Sequence, residues 1–183
     1  MRHRPGLTTT LAVLALAACG PPPSPRLVER DYPAQGFKAA FPDAPKETAA
    51  AGSPDGSAPP SFMVESSGPK RDFGVWSADV SRSGETLDDL ASNGSEHVAK
   101  GLGGQLGVRA YAATAEGVDG YEYPLMKAGK WYGVMRVFLA NGRFYEVIAE
   151  SAYGEDDPAV TDFLGSFHVI PAPGAPANAA TNG

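Results

Sequence analysis

Few side chains in this sequence have the type and spacing that chemistry demands. Of the three histidines, His3 lies in the extreme N-terminal stretch. His97 and His168 stand far apart, and neither has a second His or Cys at metal-ligand spacing, so each reads as a solvated or structurally bonded ring. Gly101, Gly103, Gly104 and Gly107 invite comparison with a phosphate-cradling loop. A dinucleotide fingerprint starting at Gly101 would need glycine where Leu106 stands, however, and the run ends a helical pattern instead of opening one. Ser92, Ser95 and Ser166 lack the G-x-S-x-G setting of an activated nucleophile, and no ordered set of serine, histidine and acid accompanies them. Asn93-Gly94-Ser95 fits a glycosylation acceptor but falls inside a helical pattern. Glu122 and Glu146 are the carboxylates to weigh for acid–base work. The strand register derived below puts them on one sheet face at about 12 Å, too far to share a proton or a metal and beyond glycosidase spacings. The expectation is no catalytic residue, no metal site, no cofactor and no enzyme.

One residue does point to covalent chemistry. Cys19 is the only cysteine, so no disulfide is available and the fold must rest on packing. It follows Arg2, Arg4 and an apolar run at residues 11–18 that is too short to span a bilayer, which needs about 20 residues. Leu16-Ala17-Ala18-Cys19 resembles the lipobox of bacterial lipoproteins, in which the cysteine becomes the lipidated first residue of the mature protein. The resemblance implies a signal peptide at residues 1–18, lipid attachment at Cys19 and a cell-envelope location on the periplasmic side of the inner or outer membrane. Residues 19–31, rich in proline at the start, read as a semi-rigid tether. The chain carries 15 basic and 21 acidic residues, and loses two arginines with the signal; that balance argues against nucleic acid and against an electrostatic hold on anionic lipid. Acyl chains must supply the attachment to the bilayer.

The elements that would position any site are organised around residues 130–150, two alternating apolar runs meeting at Asn141-Gly142. An Asn-Gly pair supplies the positive φ values of a type I′ hairpin turn. That turn sets Leu139 opposite Phe144, Val137 opposite Glu146 and Met135 opposite Ile148 on one face, with Phe138–Tyr145 and Arg136–Val147 on the other. Both faces are mainly apolar, which predicts a sheet covered on both sides. Further strands are expected at residues 36–42, 61–66, 72–80, 105–114 and 121–126, with a loop at 49–60 and with Trp76 in the core. A helix is expected from Leu87, capped by Thr86 with Asp89 completing a capping box, its stripe running through Leu90, Ala91, Gly94, Val98 and Leu102. A second should start at Asp157-Pro158, with Glu155 and Asp156 favouring its N-terminus, and bury Val160, Phe163, Leu164 and Phe167. The reading is one α+β domain at residues 32–170, an antiparallel meander flanked by helices, followed by a disordered tail at 171–183.

Four segments together resemble the small bacterial lipoprotein domains of PsbP-like type. They are GF-x-A-x-FP at 36–42, Val118-Asp119-Gly120, the run R-V-F-L-A-N-G-R-F-Y at 136–145, and F-L-G-S-F at 163–167. The resemblance implies an α/β/α sandwich around an antiparallel sheet, and a role as a protein-binding accessory or scaffold subunit; the other class held open is a ligand-binding or hydrolytic lipoprotein. No partner-binding motif of that fold is present, so no site is carried over. Extending the register backwards from the turn at 127–130 places Tyr121 opposite Arg136, beside Tyr123 and Tyr132. Tyrosine and arginine dominate interface hot spots, so this face is a candidate partner surface for an envelope protein. The competing and favoured expectation is that a helix covers it.

Overall fold

Asn141 and Gly142 both take left-handed backbone angles, φ 53° and 71°, and close the expected two-residue turn. Around it the structure, a computed structural model, describes residues 23–170, except for the side chains at positions 96 and 97. In chain order the elements are β1 (Val28–Tyr32), a 3-10 turn (Pro33–Gln35), β2 (Phe37–Phe41), β3 (Lys46–Ala50), β4 (Ser61–Ser67), β5 (Arg71–Asp79), α1 (Leu87–Gly101), β6 (Gln105–Leu106), β7 (Ala110–Ala113), β8 (Asp119–Lys127), β9 (Lys130–Ala140), β10 (Arg143–Ser151), α2 (Pro158–Gly165) and β11 (His168–Val169). The expected pairs Leu139–Phe144, Val137–Glu146, Met135–Ile148, Phe138–Tyr145 and Arg136–Val147 are all present.

The main sheet is antiparallel and eight-stranded, in the order β3-β4-β5-β10-β9-β8, with β6 and β7 both against the outer edge of β8. The meander β8-β9-β10 therefore lays its last strand on β5. One face packs on α1 through Met135, Val137, Phe144, Tyr123 and Leu125. The other carries Phe73, Val75, Phe138, Tyr145 and Val147 against α2 and against a second sheet, three-stranded in the order β1-β2-β11. The fold is thus α+β with both faces of the sheet covered, and α1 has the expected capping box. Its most buried line is of small residues, Ala91, Ser95 and Ala99, which lets the helix lie close on the sheet; Leu102 is 36% exposed and outside the stripe.

Aromatic rings tie the second sheet to the first. Phe167 stacks on Phe138 at 5.5 Å between centroids and meets Phe37 at 5.8 Å and Tyr145 at 5.6 Å. The Tyr145 hydroxyl donates to the carbonyls of Gln35 (3.0 Å) and Gly36 (3.3 Å), and a Cβ at Gly36 would meet that hydroxyl at 2.8 Å. At the other end of β10, Asp157 caps α2 from a fully buried position. It accepts from Arg71 Nε (2.7 Å), Arg71 Nη2 (2.8 Å), Ser151 Oγ (2.5 Å) and the amide of Ala159 (3.1 Å). One carboxylate so fastens α2 to β5 and β10.

Several expectations need correction. Val28–Tyr32 is a strand paired with β2, so the tether does not reach residue 31. The loop expected from Ala49 begins after β3, a strand exposed along its whole length. The strand expected at 105–114 is broken into β6 and β7. Leu106 pairs with Leu125 but Ala110 with Glu122, one extra residue on the outer strand, at a point where Pro124 has no amide to donate and Gly107 donates to its carbonyl at 2.7 Å. Trp76 is half-buried at the edge of the α1-side core, edge-on to Phe144 at 6.3 Å. The signal peptide, Cys19 and the tail at 171–183 lie outside the described residues.

Burial alone would raise the Asp157 pKa, but the hydrogen bonds from Arg71, Ser151 and Ala159 outweigh it and leave it lowered from 3.8. A depressed carboxylate contributes stability above its unfolded pKa and loses it as pH falls through the lower folded value. Asp157→Ala strands a largely buried guanidinium and should cost about 3–5 kcal/mol, lowering the melting temperature at pH 7 by roughly 10 °C or more. Calorimetry of wild type and variant checks this, and the gap should narrow on acidification below the ordinary aspartate range as wild-type Asp157 protonates.

Candidate functional site

The tyrosine and arginine surface expected on β8 and β9 is not assembled. A bulge between Leu125 and Met126 shifts the β8–β9 register by one, leaving Tyr132 as the extra residue. Tyr121 therefore faces Val137, Tyr123 faces Met135, and Arg136 pairs with Glu122. Because neighbouring residues of a strand point to opposite faces, the slip moves Arg136 away from the tyrosines. Tyr123 is 6% exposed beneath α1, with Tyr121 and Tyr132 half-buried beside it. On the opposite face Arg136 Nε donates to Glu122 Oε2 at 2.7 Å. Glu122 and Glu146, expected on one face, likewise lie on opposite faces.

The structure brings together a different surface, at the outer edge of the same sheet. Val108 is 89% exposed and Tyr111 70%, both beside the break between β6 and β7. Arg109 lies between them, its guanidinium 4.1 Å from the centroid of the Tyr121 ring, and donates from Nη1 to Asp88 Oδ1 at 2.8 Å. The Tyr121 hydroxyl donates to the same oxygen at 2.9 Å, and Tyr111, paired across the strands with Tyr121, donates to Asp119 at 2.5 Å. These carboxylate hydrogen bonds raise the pKa of both phenols and keep them as donors. The result is an aromatic and guanidinium cluster with its polar groups already directed, next to a strand edge that no other described strand occupies. The other edge of the sheet, β3, carries Lys46 and Glu47, with Lys46 Nζ 3.2 Å from Glu65. Charges of that kind guard an edge against pairing, and Ala110–Ala113 has none. The signal in the sequence was a tyrosine inside an alanine-rich run, which reads as a weak strand and conceals an edge.

Glu146 is the chemically unusual group of the interior. It sits on β10 between Trp76 and Val137, 1% exposed, and neither carboxylate oxygen has a hydrogen-bond partner among the described residues. A Cβ at Gly94 of α1 would lie 3.5 Å from Oε1, so the helix crosses directly over it. Ser95, next along α1, is fully buried with its hydroxyl unpartnered. Desolvation pushes Glu146 up to about 7, which holds the carboxyl neutral over most of the acid range.

Elsewhere, carboxylates serve turns. Asp79 accepts from Ser81 Oγ (2.6 Å), and Asp55 from Ser57 Oγ (2.8 Å), around an open groove of about 500 Å³ between the 51–60 loop and the segment after β5. His168 Nδ1 lies 2.6 Å from Glu116 Oε1. Among the described residues no three His, Cys, Asp or Glu side chains gather as a metal-holding group, and no helix is long and apolar enough to cross a membrane.

No protein-family model matches the sequence, and no curated protein matches it. Among solved structures the chain is similar to the solution structure of cyanobacterial PsbP (CyanoP) from Synechocystis sp. PCC 6803, with a TM-score of 0.54 and 14% sequence identity over 85% of this chain and 99% of that one. The PsbP-like fold expected from the four sequence segments is therefore the fold observed.

A carboxyl whose pKa rises on folding stabilises the fold below its unfolded value and loses that contribution as pH climbs to the folded value. Wild-type stability should fall between pH 4.5 and about 7 on account of Glu146. Glu146→Gln, the shape of the neutral acid, should match wild type at pH 4.5. At pH 8 it should exceed wild type by on the order of 3 kcal/mol, as read by urea unfolding at the two pH values.

Proposed function

We propose that this protein is a lipid-anchored lipoprotein of the bacterial cell envelope whose PsbP-like domain is a non-enzymatic accessory module that binds another envelope protein. The observation that carries the protein-binding part is the unguarded edge Ala110–Ala113, flanked by Val108 and Tyr111, the two most exposed large apolar side chains described. An extended segment of a partner can add to such an edge through main-chain hydrogen bonds, while Tyr111 and Val108 supply apolar contact and Arg109 a directed charge. The lipid anchor rests on Leu16-Ala17-Ala18-Cys19, and two or more acyl chains suffice for stable membrane attachment. The surface first expected, Tyr121, Tyr123, Tyr132 and Arg136, is not part of this reading except for Tyr121 at its margin.

Cys19→Ala in the full-length chain should abolish incorporation of radiolabelled lipid and release the protein from the membrane fraction; labelled lipid on the variant would refute the anchor. A photo-crosslinking residue at position 111 in the membrane-bound protein should give one discrete protein adduct, lost in a Val108→Lys background, while the same residue at Thr48 on the guarded edge should give none. Equal adducts at both positions, or none at 111, would refute the edge as the binding site.

A further inference from the structure

The path of the chain and the placement of its lysines point to the way the domain faces the membrane, an inference that rests on the lipid anchor proposed above. Pro25 lines a cleft of about 180 Å³ together with Pro42, Pro69, Lys70 and Tyr153. Pro25 is only six positions beyond Cys19, a span of at most about 22 Å for a fully extended chain. Whatever conformation that segment takes, the cleft must stay within this reach of a lipid on Cys19.

The strand register defines which end of the domain that is. Ser67 pairs with Asp72, Ser151 with Arg71, and Glu150 with Gly133, so the β4–β5 turn, the end of β10 and the β8–β9 turn at Ala128-Gly129 all lie at the same end of the sheet. Lys70, Lys127 and Lys130 project from the two turns and are exposed. Lys70 also caps the Tyr153 ring at 5.0 Å, and Lys127 acts electrostatically on the half-buried Glu150. Asp43 and Asp72 lie at this end too, as do Glu155 and Asp156 of the segment that leaves β10 there, so its charge is mixed and does not by itself hold the domain. The opposite end gathers the Asn141-Gly142 turn, Asp79 and the segment leading to α1 with Glu85, Asp88 and Asp89, together with three arginines: Arg82 and Arg143 act electrostatically on Asp79, and Arg109 pairs with Asp88. Ile170, the last residue described, is there as well, its amide donating to Gly36 and its carbonyl accepting from Asn141.

We propose that the end formed by the Gly68–Lys70 and Ala128–Gly129 turns rests against the headgroups of the bilayer that holds the Cys19 lipid, with Lys70, Lys127 and Lys130 among the phosphates and the Asn141-Gly142 end turned away. The short tether, which meets the domain at this end, sets both the distance and the direction. The β7 edge then lies on the flank, open to a partner beside the domain.

The sole native cysteine is acylated in the mature protein, so single cysteines elsewhere report cleanly. Full-length lipidated protein carrying Ser67→Cys or Glu85→Cys is labelled with a fluorophore and reconstituted into phosphatidylethanolamine–phosphatidylglycerol vesicles that contain a headgroup-nitroxide lipid. Quenching should be at least threefold stronger at position 67 than at 85, and Lys70→Glu with Lys127→Glu and Lys130→Glu should cut it at least twofold while flotation with the vesicles is unchanged. Equal quenching at the two positions in a protein that floats overturns the orientation alone, and quenching unmoved by the triple substitution removes the lysines from the headgroup layer. Failure to float overturns the lipid anchor and the orientation with it.

Discussion

β10 has no wet face. Residues 144–149 are buried without interruption, which is possible only if both sides of the sheet are covered, and the remainder of the fold follows from that demand. Phe144, Glu146 and Ile148 need α1; Tyr145, Val147 and Ala149 need α2 and the small sheet. The two covers are held by different means. α1 lies flat on a line of alanine, glycine and serine, and is otherwise fixed at its N-terminus by a capping box. α2 is pinned through Asp157 and Arg71, and the small sheet through the rings around Phe167. Glu146 lies under the first cover with no hydrogen-bond partner among the described residues, and burial there favours its protonated form.

Much of this was legible because the hairpin states its own register. Asn141-Gly142 admits one turn, the turn admits one pairing, and the alternation on each strand then assigns every side chain to a face. Three of the four segments that carried the resemblance were legible for a related reason: Gly36, Phe37, Phe138, Tyr145 and Phe167 meet in one cluster, where the Tyr145 hydroxyl donates to the carbonyls at 35 and 36. They identify a packing arrangement, so they reveal the fold and carry no chemistry.

The same logic failed one strand further out. The Ala128-Gly129 turn, φ 50° and 74°, pairs Lys127 with Lys130 as expected, but the bulge at Tyr132 inserts a residue that no local pattern announces. Gly133 gives its physical reason: a Cβ there would meet the Ala149 carbonyl at 2.6 Å, so β9 passes close to β10 while yielding one residue to β8. A slip of one reverses both faces, and with them the whole proposed surface. Edge strands were illegible for the opposite reason. Val28–Tyr32 buries only Tyr32 and Lys46–Ala50 buries nothing, so neither leaves an apolar alternation to read.

Sidedness is what a sequence displays, and a binding edge is defined by its lack of sidedness. Tyr111 and Val108 leave most of their apolar surface exposed, placed where the strand breaks against Pro124 and its outer side has no described neighbour, whereas the equivalent edge across the sheet is charged. An alanine-rich strand that buries only Ala112 and carries no gatekeeping charge is a poor solution for stability alone. The lateral partner proposed above would complete the sheet there, and would reach this flank without displacing the end of the domain proposed to rest on the membrane.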